Sequence, residues 1–365
     1  MNIHPNFPVL ITIVLLLMNG TLYSQSSQTQ QLQTTIDAIV SKKMKQYDIP
    51  GLAIGIVSQD TMTYQKGYGV RSIYTRKPVT ENTVFHTASI SKLFTAIAIV
   101  DLEQKGCLSL DDRLISIAPE LRSQNKNVNT ITIRQLLNHT SGLGDISNYN
   151  WGNDNQSDDS LKKYLLSLDL EGEQSPSTTY AYSNLGYNIL GYVIEKVTNQ
   201  SFEDYVQKEI LNTIGMPHSD FRYYNIPDYV RTAPHSKSWF NKTYIRKNYP
   251  YTREHAPSST LNSSVTDLSL WMISFLRDLK DPSNTRYQNM ILPSFEPYPY
   301  IGLGFQLYDV HSKKAIGHYG GDKGFRSFLL MIPEQGIGIV LLANCDYNED
   351  FRQEIVYEIT SLMIH

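Results

Sequence analysis

HTASISKLFTAIAIV, residues 86–100, is the stretch on which the reading of this chain turns. From Leu93 to Val100 every residue is apolar except Thr95, as in a helix meant for the interior. Yet Lys92 stands near its start, three residues after Ser89. Positions i and i+3 share a helix face, so the amine can reach the hydroxyl. A serine is a weak nucleophile until a neighbouring base takes its proton. A lysine can be that base where burial disfavours its ammonium form, and the apolar run supplies the burial. Near the helix start, backbone N–H groups add positive potential around Ser89. S-x-x-K alone is a weak signal, because a lysine at a helix start can also snorkel to the surface.

Two further clusters bear on it. Tyr182-Ser183-Asn184 precedes an apolar stripe of Leu185, Ile189, Tyr192, Val193 and Val197, so it marks a helix start. A tyrosine there can point into a cleft and relay a proton. Asn184 can orient a substrate carbonyl or the lysine. An N-cap at Ser183 or Asn184 and a core tyrosine explain the same letters, and with 25 tyrosines in the chain a single one means little. His318-Tyr319-Gly320-Gly321 ends a strand-like run. Its glycines let a substrate lie against the strand edge, where backbone N–H groups can hold an oxyanion. A plain strand end and turn is the structural alternative.

In this order and over this span, the three are far more specific than any one. S-x-x-K, then Y-x-N, then H-x-G resembles the serine hydrolase family of class C β-lactamases, penicillin-binding DD-peptidases and family VIII carboxylesterases. RQLLNHTSGL (134–143), SNLGYNILGYVIEKVT (183–198), SSVTDLSLWM (263–272) and the run from Gly304 to Asp346 extend the resemblance over most of the chain. It implies Ser89 as the acylated nucleophile, with Lys92 and Tyr182 sharing the proton transfers and the identity of the base open. It implies an oxyanion hole of the Ser89 and Gly321 N–H groups. Asn184, His318 and Gly320 would line the substrate. His139 would belong to a structural turn. Class C β-lactamases carry lysine where this chain has His318, and a neutral histidine is a weaker anchor for an anion. Esters and peptides therefore gain weight over efficient β-lactam hydrolysis.

The rest of the chain fits an α/β (α+β) architecture. A helical pattern over 31–47 is followed by strand patterns at 52–58 and 61–70, the second with Met62, Tyr64, Tyr68 and Val70 on one face. Gln59–Asp60 reads as a tight hairpin. Strand patterns recur at 302–310, 314–320, 324–332 and 336–345, and Ile355, Ile359 and Met363 mark a closing helix. Helices are expected at 89–105, 132–138, 160–168, 184–198, 202–211 and 265–279. The two ends would form one antiparallel sheet flanked by the N- and C-terminal helices. This sheet subdomain (about 30–85 and 296–365) would be split by a helical subdomain (about 86–295), with the site in the cleft between. Six tyrosines from Tyr223 to Tyr251, with Trp239, form either a wall over that cleft or, preferably, packing within a surface loop.

A net charge of −3 gives no footprint for nucleic acid. Val9–Met18 is apolar but for Thr12, half the ~20 residues of a membrane span, and small and polar residues follow. Residues 1–24 are expected to be an export signal, leaving a periplasmic or secreted protein of residues 25–365 with no transmembrane span. Cys107 and Cys345 read as two isolated buried thiols. No cofactor is implied, and no Cys/His cluster has metal-ligand spacing. The expected partner is a small-molecule or peptide substrate, cell-wall peptide included. The competing function is a penicillin-recognising module that is acylated and does not turn over.

Overall fold

The computed structural model describes residues 29–152, 155–170, 172 and 174–364; the expected export segment lies outside them. A helix over residues 29–47 (α1) leads into strands Gly51–Ser58 (β1) and Thr61–Gly69 (β2). A largely helical stretch follows. Its longer helices include Ser91–Gln104 (α2), Asn184–Thr198 (α3) and Val265–Lys280 (α4). The chain returns as strands Gln306–Val310 (β3), Lys313–Asp322 (β4), Phe325–Ile332 (β5) and Ile337–Ala343 (β6), and ends in helix Phe351–Met363 (α5). The six strands form one antiparallel sheet in the order β2-β1-β6-β5-β4-β3. The N- and C-terminal parts of the chain meet where β1 pairs with β6, Leu52 with Ala343 and Ser58 with Ile337.

Strand periodicity builds two cores, one on each face. Leu52, Ile54 and Ile56 of β1 face Ile36 and Val40 of α1 and Ile355 and Ile359 of α5. Ala53 and Val57 face the opposite way, into the core shared with α2, α3 and α4. The Gln59–Asp60 turn is a two-residue hairpin with both φ angles positive, 49° and 67°. That left-handed pair matches the twist of the strands it joins.

Some expectations need correction. Met62 does not share a face with Tyr64 and Tyr68. The register slips between Ile56 and Val57, and this bulge turns Met62 to the helical side while the two tyrosines pack with α1. The strand expected from residue 302 starts at Gln306, because Gly302 and Leu303 donate instead to Phe305 O and Met290 O, at 2.8 and 2.9 Å. Cys345 is buried, but Cys107 is exposed in the turn after α2; both are free. In the tyrosine-rich segment Tyr251 is buried and Tyr223 stacks on Tyr249 at 5.0 Å, while Tyr229 and Trp239 stand in solvent. The segment packs partly on itself, but Tyr249 also lies against His86 and Phe325, at 6.0 and 5.4 Å.

Helix α3 meets the segment Ala256–Ser259 very closely at Gly191. A Cβ there would lie 2.0 Å from Pro257 Cγ. Gly191→Ala tests that contact. In an open helix the change stabilises by about 1 kcal/mol. Here overpacking against Pro257 opposes it, at a cost of about 1–3 kcal/mol. The thermal midpoint is expected to fall; a rise would show that the two segments are not in contact.

Candidate active site

Ser89 and Lys92 are not on one continuous α-helix. Ala88–Ile90 forms a 3₁₀ turn, and α2 proper begins at Ser91. Ala88 has φ +50°, a left-handed conformation costly for alanine. Strain of this kind is of order 1–3 kcal/mol and persists only where surroundings enforce it. Three contacts enforce it here. Ser91 Oγ donates to Ala88 O at 2.6 Å, and Leu261 N–H donates to Ser91 Oγ at 2.9 Å. Ser327 Oγ on β5 donates to Thr87 O at 2.7 Å. Ser89 is left half-buried at the head of the helix, and so reachable.

The apolar run after Lys92 does bury it: its side chain is 0% exposed. The polar atoms of α2 are met by the segment that docks on α3. Thr95 Oγ1 donates to Pro257 O at 2.7 Å, and Lys92 Nζ donates to Ser258 O at 2.8 Å. Lys92 Nζ also donates to Asn184 Oδ1 at 2.5 Å and lies 3.1 Å from Ser89 Oγ. Desolvation pushes its pKa down to about 7, against the opposing pull of Asp145 and Asp322.

The Tyr182–Asn184 turn supplies the next groups. Ser183 caps α3, its Oγ accepting from Gly186 N–H at 3.1 Å. The cap and the site are thus neighbours in one turn. Tyr182 Oη donates to Ser89 Oγ at 2.9 Å. Burial holds that phenol well above its usual pKa, so it is neutral and a donor. His139 lies under this turn with its ring 4.5 Å from that of Tyr182, and its Nδ1 accepts from Ser183 N–H at 3.1 Å. It supports the turn, and burial keeps it uncharged.

Sequence reasoning missed Asp145. Its Oδ1 accepts from Asn184 N–H at 2.8 Å and its Oδ2 from Asn184 Nδ2 at 3.0 Å. The pair fixes the amide with its oxygen toward Lys92. Asp145 follows NHTSGL by two residues, and a carboxylate just after a buried turn was the available signal. Also missed was His86, three residues before Ser89, whose Nε2 lies 3.4 Å from Asp322 Oδ2.

Strand β4 forms the other wall. It pairs with β3 only as far as Gly317, so residues 318–322 are bare on that edge. Tyr319 N–H points to this edge, donating to Gln306 Oε1 at 3.2 Å. Backbone N–H groups alternate along a strand, so Gly321 N–H faces the same open edge. Gly320 permits the close approach: a Cβ there would lie 2.3 Å from Thr87 O. Arg352 of α5 braces the strand from behind, donating to Gly320 O at 2.6 Å. His318 is 1% exposed, its ring 6.1 Å from that of Tyr182. Desolvation pushes its pKa down to about 3, so the imidazole is neutral at pH 7. All seven residues singled out in the sequence thus lie around Ser89 or on the β4 edge beside it. Among the described residues, no group of three His, Cys, Asp or Glu side chains is set to hold a metal ion, and no helix is long and apolar enough to cross a membrane.

Known proteins resemble this chain in sequence and in fold. Protein flp of Staphylococcus aureus (strain MW2) is 29% identical over 346 residues, which span 92% of this chain and 68% of that protein. Penicillin-binding protein 4* of Bacillus subtilis (strain 168) is 26% identical over 354 residues, spanning 91% and 75%. The octameric penicillin-binding protein homologue from Pyrococcus abyssi superposes with a TM-score of 0.78 at 26% identity, covering 90% of this chain and 77% of that one. D-alanine carboxypeptidase AmpC from Burkholderia cenocepacia shares the fold, with a TM-score of 0.74 at 24% identity over 91% and 99% of the two chains. Residues 36–362 match the Beta-lactamase family from end to end of the sheet and through the helical stretch between. The chain belongs to the Beta-lactamase family, the serine hydrolases that its three motifs resemble.

Proposed function

We propose that the protein is an exported serine hydrolase that forms an acyl-enzyme on Ser89 and cleaves an ester, amide or peptide bond. The observation that carries this reading is the environment of Lys92 Nζ. Neutral, the amine has two hydrogens and one lone pair. Asn184 Oδ1 and Ser258 O accept the hydrogens, at 2.5 and 2.8 Å. The lone pair is left for the hydroxyl of Ser89, 3.1 Å away. Tyr182 is a neutral donor to the same oxygen. Lys92 is therefore the better first base, and Tyr182 the better proton donor.

The steps follow. Lys92 takes the Ser89 proton as Oγ bonds to the substrate carbonyl carbon. The N–H groups of Ser89 and Gly321 hold the resulting oxyanion. The carbonyl–leaving-group bond then breaks, and the leaving atom takes the phenolic proton of Tyr182. The Lys92 ammonium returns a proton to the resulting phenolate, completing the first half. Water attacks the acyl carbon in the second half, giving its proton to the same pair of groups, and Ser89 leaves with one. Asn184 and His318 line the substrate, and Gly320 lets it approach the strand. The neutral His318 offers no cation for a substrate carboxylate, which favours esterase or peptidase chemistry over efficient β-lactam hydrolysis. The apolar segment 9–18 supports export.

A fluorophosphonate is expected to label the purified protein, and Ser89→Ala to abolish the labelling; undiminished labelling of that variant would remove Ser89 from the mechanism. The base must be neutral to act. Because the Lys92 pKa is depressed to about 7, kcat/KM should rise with pH through about 7 and then level off. A free lysine would place the rise near ~10.4. A flat profile from mildly acidic to alkaline pH would contradict a titrating base.

Asp145→Ala has two expected effects. The carboxylate favours the ammonium form of Lys92, so its removal should move that midpoint to lower pH. Freeing the Asn184 amide also forfeits hydrogen bonds to a charged group, about 1.5–3 kcal/mol, so the plateau should fall at least about tenfold. A midpoint that stays put or rises would show that Asp145 acts on structure alone.

A further inference from the structure

The two ends of the cleft differ in chemistry. At the His318 end the groups are neutral. At the other end β4 finishes in Asp322, the residue after Gly321, with its side chain 11% exposed. Asp322 Oδ1 accepts from Lys323 N–H at 2.8 Å, and Oδ2 sits 3.4 Å from His86 Nε2. Next to His86 stand the partly exposed Trp151, its ring 6.5 Å from the imidazole, and Tyr149, stacked on Trp151 at 4.8 Å. The charges of Asp322 and Asp145 both act on the Tyr149 phenol, as they do on Lys92, and Tyr149 also lies within reach of Tyr182. Trp151 and Tyr149 thus stand next to His86, which faces Asp322 and lies three residues before Ser89. The nearby guanidinium groups are engaged elsewhere. Arg326 donates to Asp322 O, Phe325 O and Asp346 O and pairs with Glu349. Arg352 donates to Gly320 O and Ser327 O.

The direction of the substrate follows from Tyr182. As donor to the leaving group it stands on the leaving-group side, and its ring neighbours His318. The acyl group then runs the other way along the open edge, past Gly321 to Asp322. The next strand residue lies only about 3.3 Å further on, so the carboxylate meets atoms close to the scissile carbonyl. A carboxylate beside two aromatic rings suits an ammonium group, which pairs with the one and lies against the faces of the others.

We infer that the acyl side of the cleft selects acyl groups that carry a protonated amine, as aminoacyl esters or amides do, with Asp322, Trp151 and Tyr149 as the recognition groups. The inference rests on the acyl-enzyme reading and goes beyond it by naming the substrate class. An acyl group ending in a carboxylate would meet the Asp322 and Asp145 charges and be disfavoured.

Benzyl esters of alanine (each enantiomer), propanoic acid and succinic acid test this, with benzyl alcohol release followed by chromatography at pH 7. One alanine enantiomer is expected to exceed the propanoate in kcat/KM by at least about tenfold, the succinate falling below both. Asp322→Asn should collapse the alanine-to-propanoate ratio, and Asp322→Glu should restore part of it. Trp151→Leu should lower the same ratio, and serves if the Asp322 variants fail to fold. Equal rates on alanine and propanoate esters, with Ser89 still labelled by fluorophosphonate, would overturn the amine preference and leave the hydrolase standing. Absence of both labelling and cleavage would overturn the acyl-enzyme reading and the inference with it.

Discussion

A lysine amine taken wholly out of water must find partners for its hydrogens or lose its charge. Lys92 does both. Two fixed oxygens, Asn184 Oδ1 and Ser258 O, receive its hydrogens, and desolvation brings its pKa to about 7. Much of the surrounding fold serves that one placement. Helix α2 supplies the apolar wall, the segment Ala256–Ser259 supplies an oxygen and docks on α3 at Gly191, and α3 begins at the asparagine that supplies the other. Two sequence-distant segments are thus tied to one nitrogen, and the sheet brings Gly320–Gly321 against the turn that carries Ser89.

The sheet's contribution is a free edge. Strand β3 stops short, so β4 presents backbone donors beyond Gly317 where an ordinary sheet would have paired them. An unpaired edge invites association with another strand. Here it lies against the Ser89 turn, where a substrate can use the same N–H groups. Arg352, Ser327 and the closing helix hold the edge from the rear. The strained φ of Ala88 fits this account: two polar side chains and the sheet over-determine the turn.

Much of this was legible in the letters. The burial of Lys92 follows from the apolar run behind it, and the helix start at Asn184 from the stripe that follows. Period-two strands at both ends implied one sheet with terminal helices. What escaped was whatever depends on contacts between distant segments. Nothing local says that Ser258 O will meet Lys92, or that Asp145 will grip Asn184. The 3₁₀ turn at Ala88–Ile90 is imposed by Ser91, Leu261 and Ser327 against alanine's own preference. Met62 departs from the period-two pattern because a bulge adds one residue to a strand without any mark in the sequence. Residue type favours burial of Cys107, but its place after Gly106, at a helix end, puts it in solvent. Tyr149 and Trp151, next to His86, sit in a loop with no periodicity, so no local pattern marks them.

The central claim is that Lys92 is an uncharged amine within the working pH range. Selective ¹³C labelling of lysine Cε, with Lys92 assigned by comparison with Lys92→Met, lets its titration be followed by NMR in the folded protein. The account predicts a midpoint near 7, well below the ~10.4 of a free lysine. A Lys92 midpoint at or above about 10, the range of an ordinary lysine, would contradict it.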